Sequence, residues 1–140
     1  MKNILNLIIP QVQNKEFVYR RIEHRYLKNN KLSTAAFKDK RGNLSVSRSL
    51  NRKEEKIISA EKSIHLKGLR KRNNSDKFKL VALAKCSVEK IRDKNIYVTK
   101  DPILKNIYHA NIRNSIEDEF LSEINIHELT NIFKVLSIDN

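Results

Sequence analysis

Phe78-Lys-Leu-Val-Ala-Leu-Ala-Lys-Cys86 is followed by Ser87, by Val88-Glu-Lys-Ile-Arg-Asp93 and then by Ile96-Tyr-Val-Thr99. The first run is apolar enough for a central strand. Ser87 is a favoured helix N-cap, so 88–93 reads as a short helix, and the β-branched, aromatic run 96–99 reads as another strand. Strand, helix, strand in so short a span points to a compact α+β or α/β unit.

Working outward, Glu16-Phe-Val-Tyr-Arg-Arg-Ile22 is a further strand candidate. Alternation places Phe17, Tyr19 and Arg21 on one face and Val18, Arg20 and Ile22 on the other. Either buried face then carries an arginine beside two apolar side chains, although arginine is rarely buried unless paired. Two arrangements meet this: one arginine at the mouth of a pocket, or an edge strand with both guanidinium groups reaching water. Asn29-Asn30 and Gly42-Asn43 are turn signals, and Asn43–Ser47 is a short strand. Asn51 with Glu54 three residues on resembles a capped helix start, for a surface helix to about Leu66 stopped by Gly68. Leu69 to Lys79 then reads as a mobile basic loop. Asp101-Pro102 is either a turn or the N-terminus of a helix carrying Ile103, Leu104, Ile107, Tyr108 and Ile112.

At the C-terminal end Ser115 and Asp118 resemble a capping box, with Ile116, Phe120 and Ile124 repeating at four. Leu129, Ile132, Phe133 and Leu136 follow the template of a second helix. These readings give an α+β fold, a small mixed sheet with flanking helices and a helical C-terminal tail. The chain divides into an N-terminal segment 1–13, a body 14–113 and a tail 114–140. The tail either finishes the core of the body or docks to a protein partner through Phe120, Leu129, Ile132, Phe133 and Leu136.

Charge is unevenly divided along the chain. Residues 15–113 hold 27 Lys and Arg against 10 Asp and Glu, whereas 114–140 hold one lysine against six acids. The net charge is +13. Ile, Asn and Lys are all abundant, which is a mark of compositional bias, but such bias raises Glu as readily as Lys, and ten arginines add to the surplus. A chain this basic is expected to meet a polyanion. The expected phosphate contacts are Arg20, Arg21, Arg25, Lys38, Lys40, Arg41, Lys67, Arg70, Lys71, Arg72, Lys77 and Lys79, with the basic loop foremost. Single strands would also stack on rings among the cations, such as Tyr19, Tyr26, Phe37 and Phe78. An acidic protein is the other partner that this charge would suit.

The chain has only two glycines, Gly42 and Gly68, so it holds neither a phosphate-cradling loop nor a dinucleotide fingerprint. Cys86 is alone, which gives no internal disulfide and fits a reducing cytosol. His24, His65, His109 and His127 are dispersed and show no metal-ligand spacing. The apolar run near Met1 is too short to span a membrane. No cofactor, metal or membrane contact is expected, and no motif names a reaction.

The pattern Tyr19-Arg-Arg-Ile22, Ser33-Thr-Ala-Ala-Phe37, Leu44-Ser-Val46, Asp101-Pro102 and His109-Ala110 resembles a group of small uncharacterised bacterial proteins, over about residues 17–112. It implies a coherent domain and no particular activity. A looser likeness is to RES-type toxins with an ADP-ribosyltransferase-like fold. Their order of an arginine on a Tyr-Arg strand, an arginine-containing loop, a serine at a strand end and a helical glutamate is matched by Arg20 or Arg21, Arg41-Gly42-Asn43, Ser47 or Ser49, and Glu54. That likeness implies NAD consumption, with Arg21 on the pyrophosphate and Glu54 steadying the ribose. The charge favours a different expectation: a small nucleic-acid-binding protein, non-catalytic, in a larger bacterial nucleoprotein or defence-type assembly. A subunit that contacts only protein is the remaining alternative.

Overall fold

The computed structural model describes residues 2–39, 42–71 and 78–138. Strand β1 (Phe17–Glu23) lies between β4 (Leu44–Arg48) and β5 (Leu80–Ser87) in a six-stranded sheet. Its order is β6-β7-β4-β1-β5-β8, with β6 at Tyr97–Lys100, β7 at His109–Arg113 and β8 at Lys134–Ser137. A separate hairpin pairs β2 (Leu27–Lys28) with β3 (Lys31–Leu32). The fold is α+β, and every ladder is antiparallel rather than mixed. The helices are α1 (Lys2–Ile8), α2 (Glu54–Lys71), α3 (Val88–Arg92) and α4 (Glu123–Ile132).

One face of the sheet is the main core. Val18 and Ile22 of β1, Val46 of β4, Ala82, Ala84 and Cys86 of β5, and Ala110 and Ile112 of β7 are buried there. Val88 and Ile91 of α3 and Ile126 and Leu129 of α4 cover them, with Phe37 against Phe133 at a ring separation of 5.0 Å. Ser87 caps α3 as its sequence predicts, accepting from the Lys90 N–H. The N-terminal segment is tied across this face by Arg48. That fully buried guanidinium donates to both Glu16 oxygens at 2.9 and 2.6 Å and to the carbonyls of Pro10 and Gln11.

Several expectations change, and of the two readings of Asp101-Pro102 the turn holds. Asn51 sits in a left-handed turn (φ 65°), and α2 begins at Glu54, whose carboxylate takes Tyr19 and Lys85 instead of closing a cap. The same helix runs through Gly68 to Lys71. Ile57, Glu61 and His65 lie at four-residue intervals on its buried side, and His65 donates to the Phe78 carbonyl. That packing outweighs the roughly 1 kcal/mol cost of an interior glycine. After Asp101-Pro102 there is no helix, because β6 and β7 pair from Tyr97↔Arg113 to Lys100↔Ala110 and force 101–108 into their connection.

In the tail, Ser115 and Asp118 bond each other in a closed turn, and Ile116, Phe120 and Ile124 are exposed. Helix α4 instead starts from a reciprocal Ser122–Asn125 capping box. The expected second helix is divided: Leu129 and Ile132 lie in α4, which ends at Ile132, and Leu136 lies in β8, which pairs with β5. Leu136, with Ile138, packs by strand alternation beside Leu83 and Ile57.

Candidate functional site

The site lies where two central strands part. β1 pairs with β5 along its whole length, from Phe17↔Ser87 to Glu23↔Leu80, but with β4 only at Val18↔Arg48 and Tyr19↔Ser47. Beyond Tyr19, Arg20 fills the parting. Its Nε donates to the Ala36 carbonyl and its terminal nitrogen to the Ser45 carbonyl, each at 2.8 Å. Burial pushes the Arg20 pKa down to about 10, so it remains charged at neutral pH. A guanidinium committed to two backbone carbonyls is a structural peg. Its other terminal nitrogen makes no hydrogen bond among the described residues, and Arg20 also lines the pocket at this parting.

On the face opposite the main core, the parting opens as a pocket of about 260 Å³ beneath α2. Arg21, Tyr26, Ser47, Glu61, His65 and His109 are among the residues that line it. Alternation aims Arg21 there from β1, and the register places Ser47 directly opposite His109 on the neighbouring strand. Glu61 and His65, four apart, come from one side of α2. The Ser47 hydroxyl donates to Glu61 Oε2 at 2.9 Å. Arg21 Nε stands 3.8 Å from Glu61 Oε1, a charge contact too long for a hydrogen bond.

Both imidazoles are oriented by acceptors. His65 Nε2–H donates to the Phe78 carbonyl at 2.6 Å. His109 Nδ1–H faces the Asp101 carbonyl at 3.0 Å and carboxylate at 3.1 Å, and Asn111 also donates to that carboxylate. Asp101 thus engages Nδ1–H and leaves Nε2 without a partner among the described residues. The Asn111 Oδ1 is buried on the same face and has no partner among the described residues. The pocket therefore combines the guanidinium groups of Arg20 and Arg21 with carboxylates and imidazoles, and Asn111 lies on the same strand as His109 but outside the lining.

Arg21 and Glu54 take different partners and line different pockets. The Glu54 carboxylate accepts from the Tyr19 hydroxyl at 2.9 Å and pairs with Lys85 at 2.6 Å. Its Lys85 partner holds it below the ordinary carboxyl range, and burial pushes the Tyr19 hydroxyl well above its own. Arg21 faces Glu61 instead.

The other sequence-selected cations gather in part. The His24 N–H bonds the Lys79 carbonyl, Arg25 lies over the Phe78 and Tyr26 rings, and His65 anchors the end of α2 to Phe78. Arg25, Lys67, Lys79 and the last turn of α2, which includes Arg70 and Lys71, thus meet at one end of the sheet. Lys38 is exposed at the end of the Thr34–Phe37 turn. Lys40, Arg41, Arg72 and Lys77 lie outside the described residues, as does most of the expected basic loop. Among the tail residues selected for docking, Leu129 and Phe133 are core residues, Ile132 and Leu136 pack beside the core, and Phe120 alone is exposed.

Sequence reasoning missed Glu61, His65 and His109 as members of one site. The available signal was a shared polar periodicity: Ser45 and Ser47, His109 and Asn111 at spacing two, and Glu61 and His65 at spacing four. No model of a known family, no curated protein and no solved structure matches this chain. Among the described residues no helix is long and apolar enough to cross a membrane.

Proposed function

We propose that this protein binds nucleic acid through phosphate contacts made by the basic end of the sheet: Arg25, Lys67, Lys79 and the C-terminal turn of α2. The supporting observation is how the charges are sorted. Glu16, Glu23 and Glu61 are buried, Glu54 is held by Lys85, and Asp101 is turned to His109 and Asn111. Three of the ten acids in the basic body are therefore buried, and two more are engaged by neighbouring side chains.

Among the described lysines and arginines, only Arg21, Arg25, Arg48 and Lys85 stand within 4 Å of a described carboxylate. Arg20, Arg52, Arg92 and Lys100 are bonded to backbone carbonyls, and the remaining cations have no carboxylate of the described residues within 4 Å. Phosphate contact by such a surface displaces condensed counterions, so affinity falls with salt.

The test is binding of the purified protein to duplex DNA, single-stranded DNA and structured RNA across a salt series. Each neutralised phosphate should give a log–log slope near −0.9 on duplex DNA, or about −0.7 on single strands. Replacing Arg70, Lys71 and Arg72 together by Ala should flatten the slope by about two to three units. Weak binding with no salt dependence would overturn the reading.

A further inference from the structure

The pocket beneath α2 asks for a ligand of mixed character, and its inventory defines that ligand. Arg21 offers a guanidinium whose one carboxylate within 4 Å among the described residues is Glu61, at 3.8 Å, with Arg20, Glu23 and Asp39 also on the pocket wall. Its terminal nitrogens remain available for an anion, and guanidinium geometry suits a phosphate. The rest of the pocket is rich in acceptors. Glu61 Oε1 receives no hydrogen bond, since Ser47 serves only Oε2. His109 Nε2 has no partner among the described residues once Asp101 has taken Nδ1–H.

An inorganic anion would satisfy Arg21 and leave these acceptors unmatched. A neutral sugar would do the reverse. A phosphorylated sugar supplies both halves: oxygens for the guanidinium and hydroxyl donors for the carboxylate.

We propose that this pocket takes one ribose-phosphate unit, with Arg21 on the phosphate and Glu61 accepting a hydrogen bond from a ribose hydroxyl. The inference rests on the nucleic-acid reading for the source of the unit, a nucleotide of a bound strand. Within a strand the 2′-hydroxyl is the free ribose donor, and it is what distinguishes RNA from DNA at a given position. The pocket thereby selects RNA. The surface cations supply affinity without regard to the sugar, while the carboxylate behind Arg21 reads its hydroxyl. A buried acceptor left unmatched by a deoxyribose carries the desolvation penalty that underlies such discrimination.

The measurement is calorimetric or NMR titration of the intact protein at fixed ionic strength with 5′-ribonucleoside monophosphates, their 2′-deoxy counterparts, ribose 5-phosphate and inorganic phosphate. Ribonucleotides should bind roughly tenfold tighter than deoxynucleotides and than inorganic phosphate. Arg21→Gln should weaken all phosphate ligands about tenfold, and Glu61→Gln should abolish the ribose preference while retaining phosphate binding. Equal affinity for ribo- and deoxynucleotides, or ribonucleotide binding indifferent to Arg21→Gln, would overturn the proposal.

If a variant fails to fold, the ribo/deoxy comparison on the unaltered protein still decides. The salt series separates the two readings. A steep slope without ribonucleotide binding removes only the pocket, and ribonucleotide binding with a flat slope removes only the strand surface. Ribose 5-phosphate binding as tightly as a nucleotide, again with a flat slope, would assign the pocket to a free metabolite and overturn the strand as its source.

Discussion

The two faces of the six-stranded sheet are built from the same strands in strict alternation, yet they are covered by different chemistry. On one, α3, α4, Phe37 and Phe133 close over valines, isoleucines and alanines. On the other, Ile57 of α2 packs with Tyr19 and Leu83 toward one side, while Glu61 of the same helix meets Arg21 and Ser47 around the parting of β1 and β4, with His109 also on the pocket wall. A sheet needs one packed face to be stable. With the main core on the first face, the second is free to hold polar groups, and the parting strands give them a cavity. Substitutions on the first face should therefore remove stability, and those on the second should mainly remove binding.

The sharpest test of that division is its exception, an arginine inside the apolar face. Arg48 is fully buried and chelated by Glu16, with its remaining donors on Pro10 and Gln11. Arg48→Ala would strand the Glu16 carboxylate and free the N-terminal segment, so chemical denaturation should show a loss of about 3–5 kcal/mol. The pair also sets an acid limit. Burial alone would raise the Glu16 pKa, but the Arg48 hydrogen bonds and the Gln13 and Leu50 N–H groups together hold it below its ordinary 4.5. A folded value below the unfolded one means that this stabilisation is fully present above pH 4.5. It is lost as pH falls through the lowered folded value. Glu16→Gln should accordingly flatten the acid limb of a stability–pH curve while lowering stability at neutral pH.

Leu129→Ala comes next, at about 2–5 kcal/mol by thermal or urea unfolding, because it empties a fully buried site between α4 and the sheet. A much smaller loss would mean that the tail is peripheral and would return Leu129 to the docking role. Ser47→Ala on the polar face should cost about 1–3 kcal/mol, because it leaves the buried Glu61 Oε2 without its hydroxyl donor. Its larger effect should fall on ribonucleotide binding, because Glu61 would lose the hydroxyl that orients it. If Ser47→Ala unfolded the protein as readily as Leu129→Ala, the contrast between the faces would be void.

The strands and the α3 cap were legible because their signals are local: alternation, β-branched runs, and a serine three residues before an amide it can accept from. The tail was misread because Leu136 satisfies both a helical spacing of seven from Leu129 and a strand position opposite Leu83. Only the pairing with β5 decides between them, and that partner is about fifty residues away. The pocket was half legible. Two adjacent arginines on an apolar strand announced a problem of burial, and a pocket was one of its two stated solutions. Their different fates, Arg20 as a peg and Arg21 as a pocket wall, depend on where β4 leaves β1. Glu54 drew attention over Glu61 because it sits near the helix start, whereas burial of Glu61 follows from which side of α2 meets the sheet.

Gly68 gives the smallest and most informative contrast, because it tests why α2 continues where its sequence asks it to stop. The residue lies inside the helix, partly exposed, between the His65 anchor on Phe78 and the basic last turn. Gly68→Ala should raise stability by about 0.5–1 kcal/mol, because alanine has less backbone freedom to lose and favours the helical conformation already present. Helical circular dichroism should be retained, with a slightly higher thermal midpoint. A loss of stability would mean that Gly68 leaves the helical conformation as its sequence context predicts. The anchor at Phe78 would then end α2, and Arg70 and Lys71 would rejoin the loop as a phosphate-binding segment separate from the polar face.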